Sequence, residues 1–183
     1  MVRIDRVTTR GGDKGETSLG DGTRVRKDDP RIAAIGAVDE ANAAIGLLRL
    51  VTRDAPDVTA MLARIQNDLF DLGADLCVPG QAPDRLRLSD APVLRLEAEV
   101  TAMNAGLPPL TSFILPGGSE GSAHAHMARA AVRRAERAVV TLEQVNPLLV
   151  RYLNRLSDHL FVLGRVLNDN GAGDLLWVPG ANR

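Results

Sequence analysis

Apolar residues recur every three or four positions in five separate stretches of this chain, and each stretch reads as one face of an α-helix. The first opens at Asp29-Pro30, where aspartate caps and proline suits the first helical position. Ile32, Ile35, Val38 and Ile45 carry its stripe to about Val51. The second follows Pro56, with Leu62, Ile65, Leu69, Leu72 and Leu76 in register and an end near Pro79-Gly80. A loop is expected over residues 79–88. The third starts near Ser89-Asp90, uses Val93, Leu96, Val100 and Met103, and stops at Gly106 and Pro108-Pro109. The fourth is expected over about residues 119–145, with Met127, Ala131, Ala135, Ala138 and Leu142 as a small-residue packing face. Asn146-Pro147 breaks it, because the residue before proline avoids helical dihedrals. The fifth carries Leu149, Tyr152, Leu156, Leu160, Leu163 and Leu167 to near Asn170-Gly171.

The segments between are short, so the pattern predicts an all-α, five-helix antiparallel bundle of ferritin-like type. Phe113-Ile114-Leu115 is too short to seed a sheet and reads as a buried connector. The apolar tail Leu175-Leu176-Trp177-Val178-Pro179 is expected to dock on the body. Residues 1–28, rich in glycine and polar side chains, read as one long loop. The whole chain, residues 1–183, is expected to be one domain: an arm over 1–28, a bundle over about 30–170 and a tail over 171–183.

Composition narrows the picture. Aromatic residues are 3% of the chain, so the core must be made of Leu, Ile, Val and Ala, which favours close-packed helices over sheets. A net charge of -1 gives no general attraction to nucleic acid or anionic membrane. The single cysteine, Cys77, excludes an internal disulfide and reads as a small core residue at a helix end. No apolar run approaches membrane-spanning length. Met1-Val2-Arg3-Ile4-Asp5 carries charge where a signal peptide needs apolar residues, so a cytoplasmic protein is expected.

Three constellations offer chemistry. Thr9-Arg10-Gly11-Gly12-Asp13-Lys14-Gly15-Glu16-Thr17-Ser18 has glycines that let backbone N–H groups turn toward a phosphate, with Lys, Thr and Ser beside them. It is not the strand–loop–helix P-loop, and a polar N-terminal arm accounts for it equally well. Arg129, Arg133, Glu136 and Arg137 share one face of the fourth helix, with His126 a turn earlier. Such guanidiniums match a triphosphate, although a solvated charged face has the same spacing. His126 itself reads as a hydrogen-bonded packing residue. Asp39 and Asn42 intrude on the apolar stripe of the first helix. A buried carboxylate there would need a cation, for which the fourth-helix arginines are the supply. Asn154, Asp158, Phe161 and Arg165 form a separate polar face on the fifth helix, suited either to fixing register or to binding.

Taken in order, these residues resemble the PduO-type ATP:cob(I)alamin adenosyltransferases. Thr9 to Thr17 looks like that family's Thr-Lys-x-Gly-Asp-x-Gly-x-Thr loop, with Arg10 in place of the usual lysine. Val25-Arg26-Lys27-Asp28-Asp29-Pro30, Ala37-Val38-Asp39-Glu40-Ala41-Asn42, Phe113-Ile114-Leu115-Pro116-Gly117-Gly118, the run Arg-Ala-Ala-Val-Arg-Arg-Ala-Glu-Arg over 129–137, and Asn154-Arg155-Leu156-Ser157-Asp158 are similar to its later motifs.

The resemblance implies a homotrimer with ATP at subunit interfaces. It implies that Thr9, Arg10, Gly12, Asp13, Lys14, Gly15, Thr17 and Ser18 wrap the triphosphate. Lys27, Arg133, Glu136, Arg137 and Asn154 would complete the site for ATP and Mg2+, the ion being held mainly through ATP. Asp39 and Arg129 would link subunits, and Phe113 would pack under the corrin ring of cobalamin. The implied reaction is attack of cobalt(I) on the ribose 5′ carbon with loss of triphosphate. A reductase would supply the reduced cobalt and an adenosylcobalamin-dependent mutase would receive the product. The resemblance does not align the tail with Trp177 and assigns it no role.

Other readings stay open on the residues alone. One is another ATP-dependent transferase or hydrolase, and another is a cobalamin carrier. A ferritin-like iron site is disfavoured, since no glutamate has a histidine three residues on. A mutase-type cobalamin domain is disfavoured by the lack of Asp-x-His-x-x-Gly.

Overall fold

The computed structural model describes residues 5, 8–80 and 84–183. Residues 81–83, within the loop expected at 79–88, and residues 1–4 of the charged N-terminal stretch lie outside the described residues. Five helices account for most of the rest: α1 (Pro30–Val51), α2 (Pro56–Leu76), α3 (Asp90–Asn104), α4 (Glu120–Val140) and α5 (Pro147–Val166). The arm is not all loop. It folds into a small antiparallel hairpin, β1 (Glu16–Ser18) and β2 (Arg24–Arg26), with Thr17 opposite Val25. Asp21 drives the turn by accepting from Thr23 N at 2.8 Å, an aspartate-turn contact of the kind that favours Asp-Gly pairs between strands.

Helix boundaries follow local chemistry. Asp29 caps α1 by accepting from Arg31 N at 2.8 Å, and Ser119 caps α4 by accepting from Ser122 N at 3.0 Å. Pro30, Pro56 and Pro147 occupy the first turns of α1, α2 and α5. α4 stops five residues before the expected Val145. Gln144 takes a positive φ of 53°, and Asn146 caps α5 instead, accepting from Leu148 N at 3.1 Å. Cys77 is the half-buried C-cap of α2 rather than a core residue.

The helices pack in the order α2, α1, α4, α5, α3. Alanines line the central contact: Ala34, Ala37 and Ala41 on α1, and Ala125, Ala128 and Ala135 on α4, are buried. Small side chains let these two backbones approach closely. Leucines fill the outer spaces from α2 and α5, including Leu62, Leu69, Leu72, Leu153, Leu156 and Leu160. The buried face of α4 is therefore Ala125, Ala128, Val132, Ala135 and Val139. It is rotated from the expected face, of which Met127 is 65% exposed.

Polar side chains close the bundle where backbones stay apart. Arg95 on α3 and the Tyr152 hydroxyl on α5 both donate to Asp68 on α2, the latter at 2.9 Å. Burial and the Asp68 carboxylate push the Tyr152 phenol well above its ordinary pKa. Glu99 on α3 takes Arg64 of α2 at 2.9 Å and His159 of α5 at 3.0 Å. At one end of the bundle, Asp75 accepts from Arg87, Leu88 N and Asn146. That carboxylate ties the ends of α2 and α5 to the segment entering α3.

His126 lies on the inner side of α4 and is 5% exposed. Its ring meets Phe161 edge-on at 6.1 Å and faces the notch left by Gly164. Contrary to expectation, among the described residues neither ring nitrogen has a hydrogen-bond partner. Burial, and then the neighbouring Arg129, lower its pKa, while Asp174 acts the other way.

Asp75→Ala removes the carboxylate that pairs with the half-buried Arg87 and leaves buried Leu88 N without its acceptor, while Arg87 and Asn146 keep only backbone carbonyl partners. It should cost about 3 kcal/mol, lowering Tm by roughly 10 °C in a thermal melt. His126 gives a pH signature. Its folded pKa lies below the unfolded value of about 6.5, so its neutral form contributes fully above that pH and the contribution falls as protons bind below it. Urea midpoints should drop between about pH 7 and pH 5, and His126→Leu should flatten that part of the profile. An unchanged slope in the variant would place the acid sensitivity elsewhere.

Candidate active site

The hairpin holds the glycine turn in a defined shape. Asp13 N donates to Arg10 O at 3.3 Å and Gly15 N to Gly12 O at 3.1 Å. Arg10 and Gly15 have positive φ values of 58° and 82°. Lys27 N donates to Gly15 O at 2.8 Å, which brings the Lys27 side chain back over the turn. A Cβ on Gly12 would lie 2.9 Å from the Lys27 ammonium, so glycine is what lets that charge sit against the turn. Arg24 acts as a strut, donating to Gly11 O at 3.0 Å and Ser18 Oγ at 3.2 Å. Sequence reasoning passed over Arg24; its signal was the alternation Arg-Val-Arg facing Glu-Thr-Ser across Asp21-Gly22. Thr9, Arg10, Asp13, Lys14, Gly15, Ser18 and Lys27 are exposed, and Gly12 and Thr17 are half-buried.

The arm is seated on its own chain through Gly20 N, which donates to Cys77 O at 2.8 Å, and through buried Leu19. Among the described residues, no hydrogen bond or ion pair joins residues 9–18 to α4. One chain thus presents the glycine turn and the arginine face separately.

On α4 the arginines differ in setting. Arg129 is half-buried, with its guanidinium 5.5 Å from the centre of the Phe161 ring, a cation–π arrangement. Burial, and then Arg133, lower its pKa, with Asp158 opposing. Arg133 and Arg137 are exposed, and Arg137 leans back to donate to Arg133 O at 3.4 Å. Glu136 Oε1 accepts from Asn154 Nδ2 at 3.0 Å, which places α5 beside this face. Arg134 points elsewhere and is ion-paired with Glu40 on α1. Among the described residues, it is the one member of this arginine run with a carboxylate partner. A guanidinium face of this kind, whose own Glu136 carboxylate is held by the Asn154 amide, is suited to several anionic oxygens at once.

Two expectations need correction. Asp39 is exposed, not buried, and among the described residues no ion pair joins it to α4; its neighbour Glu40 makes that link. The intruding residue that is buried is Asn42, which donates to Gln66 O at 3.2 Å while Gln66 donates to Asn42 O at 3.2 Å. Phe113 is not a buried connector. It is 78% exposed and stands 6.2 Å from the Trp177 ring. The tail does dock, and it docks on this segment: Trp177 N donates to Phe113 O at 2.8 Å and Leu115 N to Leu175 O at 2.7 Å.

With this geometry in place, the chain can be set beside known proteins. The family model described as cobalamin adenosyltransferase matches residues 7–167. A cobalamin adenosyltransferase of Cupriavidus metallidurans is 53% identical over 181 residues, covering 96% of this chain and 95% of the relative. A corrinoid adenosyltransferase of Mycobacterium tuberculosis is 47% identical over 190 aligned positions, covering 100% of this chain and 97% of the relative. Among solved structures, a single-residue variant of the PduO-type ATP:corrinoid adenosyltransferase from Lactobacillus reuteri, complexed with cobalamin and ATP, superposes with a TM-score of 0.87. It is 35% identical and the match covers 94% of this chain and 99% of that one. Matched from the arm to the end of the last helix, the chain belongs to the cobalamin adenosyltransferase family.

Proposed function

We propose that this protein transfers the 5′-deoxyadenosyl group of ATP to the cobalt of cob(I)alamin, giving adenosylcobalamin and triphosphate. The observation that carries this reading is the exposed, unneutralised guanidinium pair of Arg133 and Arg137 beside the Glu136–Asn154 contact. It lies in a chain whose relatives bear that activity in their names and whose structural neighbour is complexed with cobalamin and ATP. Cobalt(I) is the nucleophile and the ribose 5′ carbon the target, so no protein base is needed. The protein's task is to hold the polyphosphate and offset the charge that grows on it as it leaves. Arg133, Arg137, Lys14 and Lys27 supply that charge, and the backbone of the glycine turn supplies donors.

The functional unit in this reading is the whole chain, assembled as a homotrimer. The separation of the arm from α4 within one chain supports a site completed by a second copy. Exposed Asp39 is then free to meet Arg129 of a neighbour. Among the described residues, no group of three or more His, Cys, Asp or Glu could hold a metal ion. In this reading a magnesium ion would be carried on phosphate oxygens, with Glu136 as the carboxylate on the same face. When bound, the ion offsets charge on the polyphosphate. Phe113 would present its ring to the corrin face and keep water from the lower axial position. Among the described residues, no helix is long and apolar enough to cross a membrane.

An anaerobic mixture of protein, ATP, magnesium and cob(I)alamin should yield adenosylcobalamin and triphosphate in equal amounts. Arg133→Ala should cut turnover and nucleotide affinity by ~100-fold while the assembly mass stays unchanged. Diphosphate or phosphate as product would assign the site to a different ATP-dependent transfer. Phe113→Ala should keep ATP affinity within about two-fold but lose the four-coordinate cobalt(II) spectrum of the bound substrate. An unaltered spectrum removes Phe113 from that role.

A further inference from the structure

Behind the exposed Phe113 ring lies a buried polar cluster at the end of α5. Arg165 Nε donates to Asp174 Oδ2 at 2.7 Å, and the two side chains are 5% and 4% exposed. Arg165 Nη2 also donates to Pro108 O at 2.8 Å. Asn168, equally buried, accepts from Ser119 N at 2.8 Å and donates to Gly117 O at 3.2 Å and Asp174 Oδ1 at 3.3 Å. Three hydrogen bonds of this cluster, one made by Arg165 and two by Asn168, thus grip both ends of the segment that carries Phe113.

The backbone between Arg165 and Asp174 is forced. Asp169 and Asn170 both adopt positive φ, at 53° and 50°, before Gly171 at 89°. Two successive non-glycine residues in that region persist only when their surroundings dictate it. Gly171 N donates to Arg165 O and Gly173 N to Asn168 O, each at 2.9 Å, so the turn is wrapped around the cluster. On the other side, Gly118 has a φ of 93°, and a Cβ there would overlap the Asn168 carboxamide. This turn sends the chain back along the Phe113 segment, where Ser112 Oγ donates to Trp177 O at 2.8 Å beside the backbone pairs already described. A buried ion pair gains little stability over apolar packing. Here it fixes one path for the tail.

We propose that Arg165, Asp174 and Asn168 are positioning residues, a latch that sets the Phe113–Trp177 aromatic pair at the angle and height needed to meet the flat macrocycle of the corrinoid substrate. The inference rests on the reading of Phe113 as the corrin-facing residue. It adds that the tail, through Trp177, is part of the same surface, and that its geometry is dictated from behind by charge rather than by apolar packing. None of the three latch residues lies on the polyphosphate face, so disturbing them should separate the two substrates.

Trp177 is the single tryptophan, so its emission reports on the tail directly. Asp174→Asn keeps the size of the side chain and removes its charge; Asn168→Ala breaks the grip on Gly117 and Ser119, and carries the test if the first variant does not fold. In either folded variant, acrylamide quenching of Trp177 should rise about two-fold and the KM for cob(I)alamin about five-fold, with the KM for ATP within about two-fold of wild type. An unchanged corrinoid KM with a loosened tail would overturn the latch, as would equal rises in both KM values or an unmoved tail. Phe113→Ala separates the two ideas. If it raises the corrinoid KM and the latch variants do not, the latch alone fails. If it has no effect on the corrinoid, the underlying reading fails and the latch falls with it.

Discussion

The structure turns on α4, which must bury one side tightly while carrying several positive charges on the other. Arg129, Arg133 and Arg137 repel one another, and nothing in the charged face itself would keep the helix formed. The stabilisation comes from behind. Ala125, Ala128, Val132, Ala135 and Val139 have no exposure to solvent and face the core that α4 shares with α1 and α5. Small residues make this contact rigid as well as close, because alanine has no rotamer to lose. The guanidiniums are therefore projected from a backbone that packing has already fixed. Preorganised charge of this sort is worth more at an anionic leaving group than flexible charge, which must first be ordered.

Around that axis, the protein uses polar contacts where apolar ones would leave freedom. Asp68, Asp75 and Glu99 each collect donors from two or more separated segments, and Asp174 takes two from the end of α5. Such clusters are poor sources of net stability and good sources of unique geometry, since half-satisfied alternatives are costly. They are set at places that must not drift: the seam between α2, α3 and α5, the end of the bundle near the seat of the arm, and the turn behind Phe113. Arg129 has a different support, an aromatic ring whose face attracts the cation without neutralising it. Its charge stays available to an anion.

The five helices were legible because burial imposes a period that survives in a single sequence, and Asp29 announces its cap. The failures share a cause. Periodicity says which residues are apolar and not what covers them. Phe113 and Met127 were assigned to the interior on their chemistry, yet both face outward. The end of α4 was placed too late because Leu142 and Val145 keep the apolar rhythm through a turn that Gln144 has already broken. The hairpin was missed because three-residue strands are too short to show alternation, although Asp21-Gly22 marked the turn. The candidate site was legible as two motifs, a glycine turn and an arginine run. Their separation within one chain was not, since sequence order carries no information about how far apart two motifs lie in the fold.

That separation has a physical consequence on the proposed reading. A face with uncompensated guanidiniums resists the approach of like charge, and the arm brings Arg10, Lys14 and Lys27, which Asp13 and Glu16 offset in part. A polyphosphate between them reverses the sign of the interaction, converting mutual repulsion into two sets of attractive contacts with one anion. Nucleotide binding and the closing of arm against α4 are then a single linked equilibrium, each favouring the other by the same free energy. The corrinoid surface is built differently. Phe113 and Trp177 are uncharged, and among the described residues the cluster that holds their segments makes no hydrogen bond or ion pair with the arginine face. Two substrates of opposite character, one a hydrated polyanion and one a broad macrocycle, are thus received by structures that differ in support as well as in chemistry. Their reacting atoms can be brought together without either pocket having to compromise its own solvation.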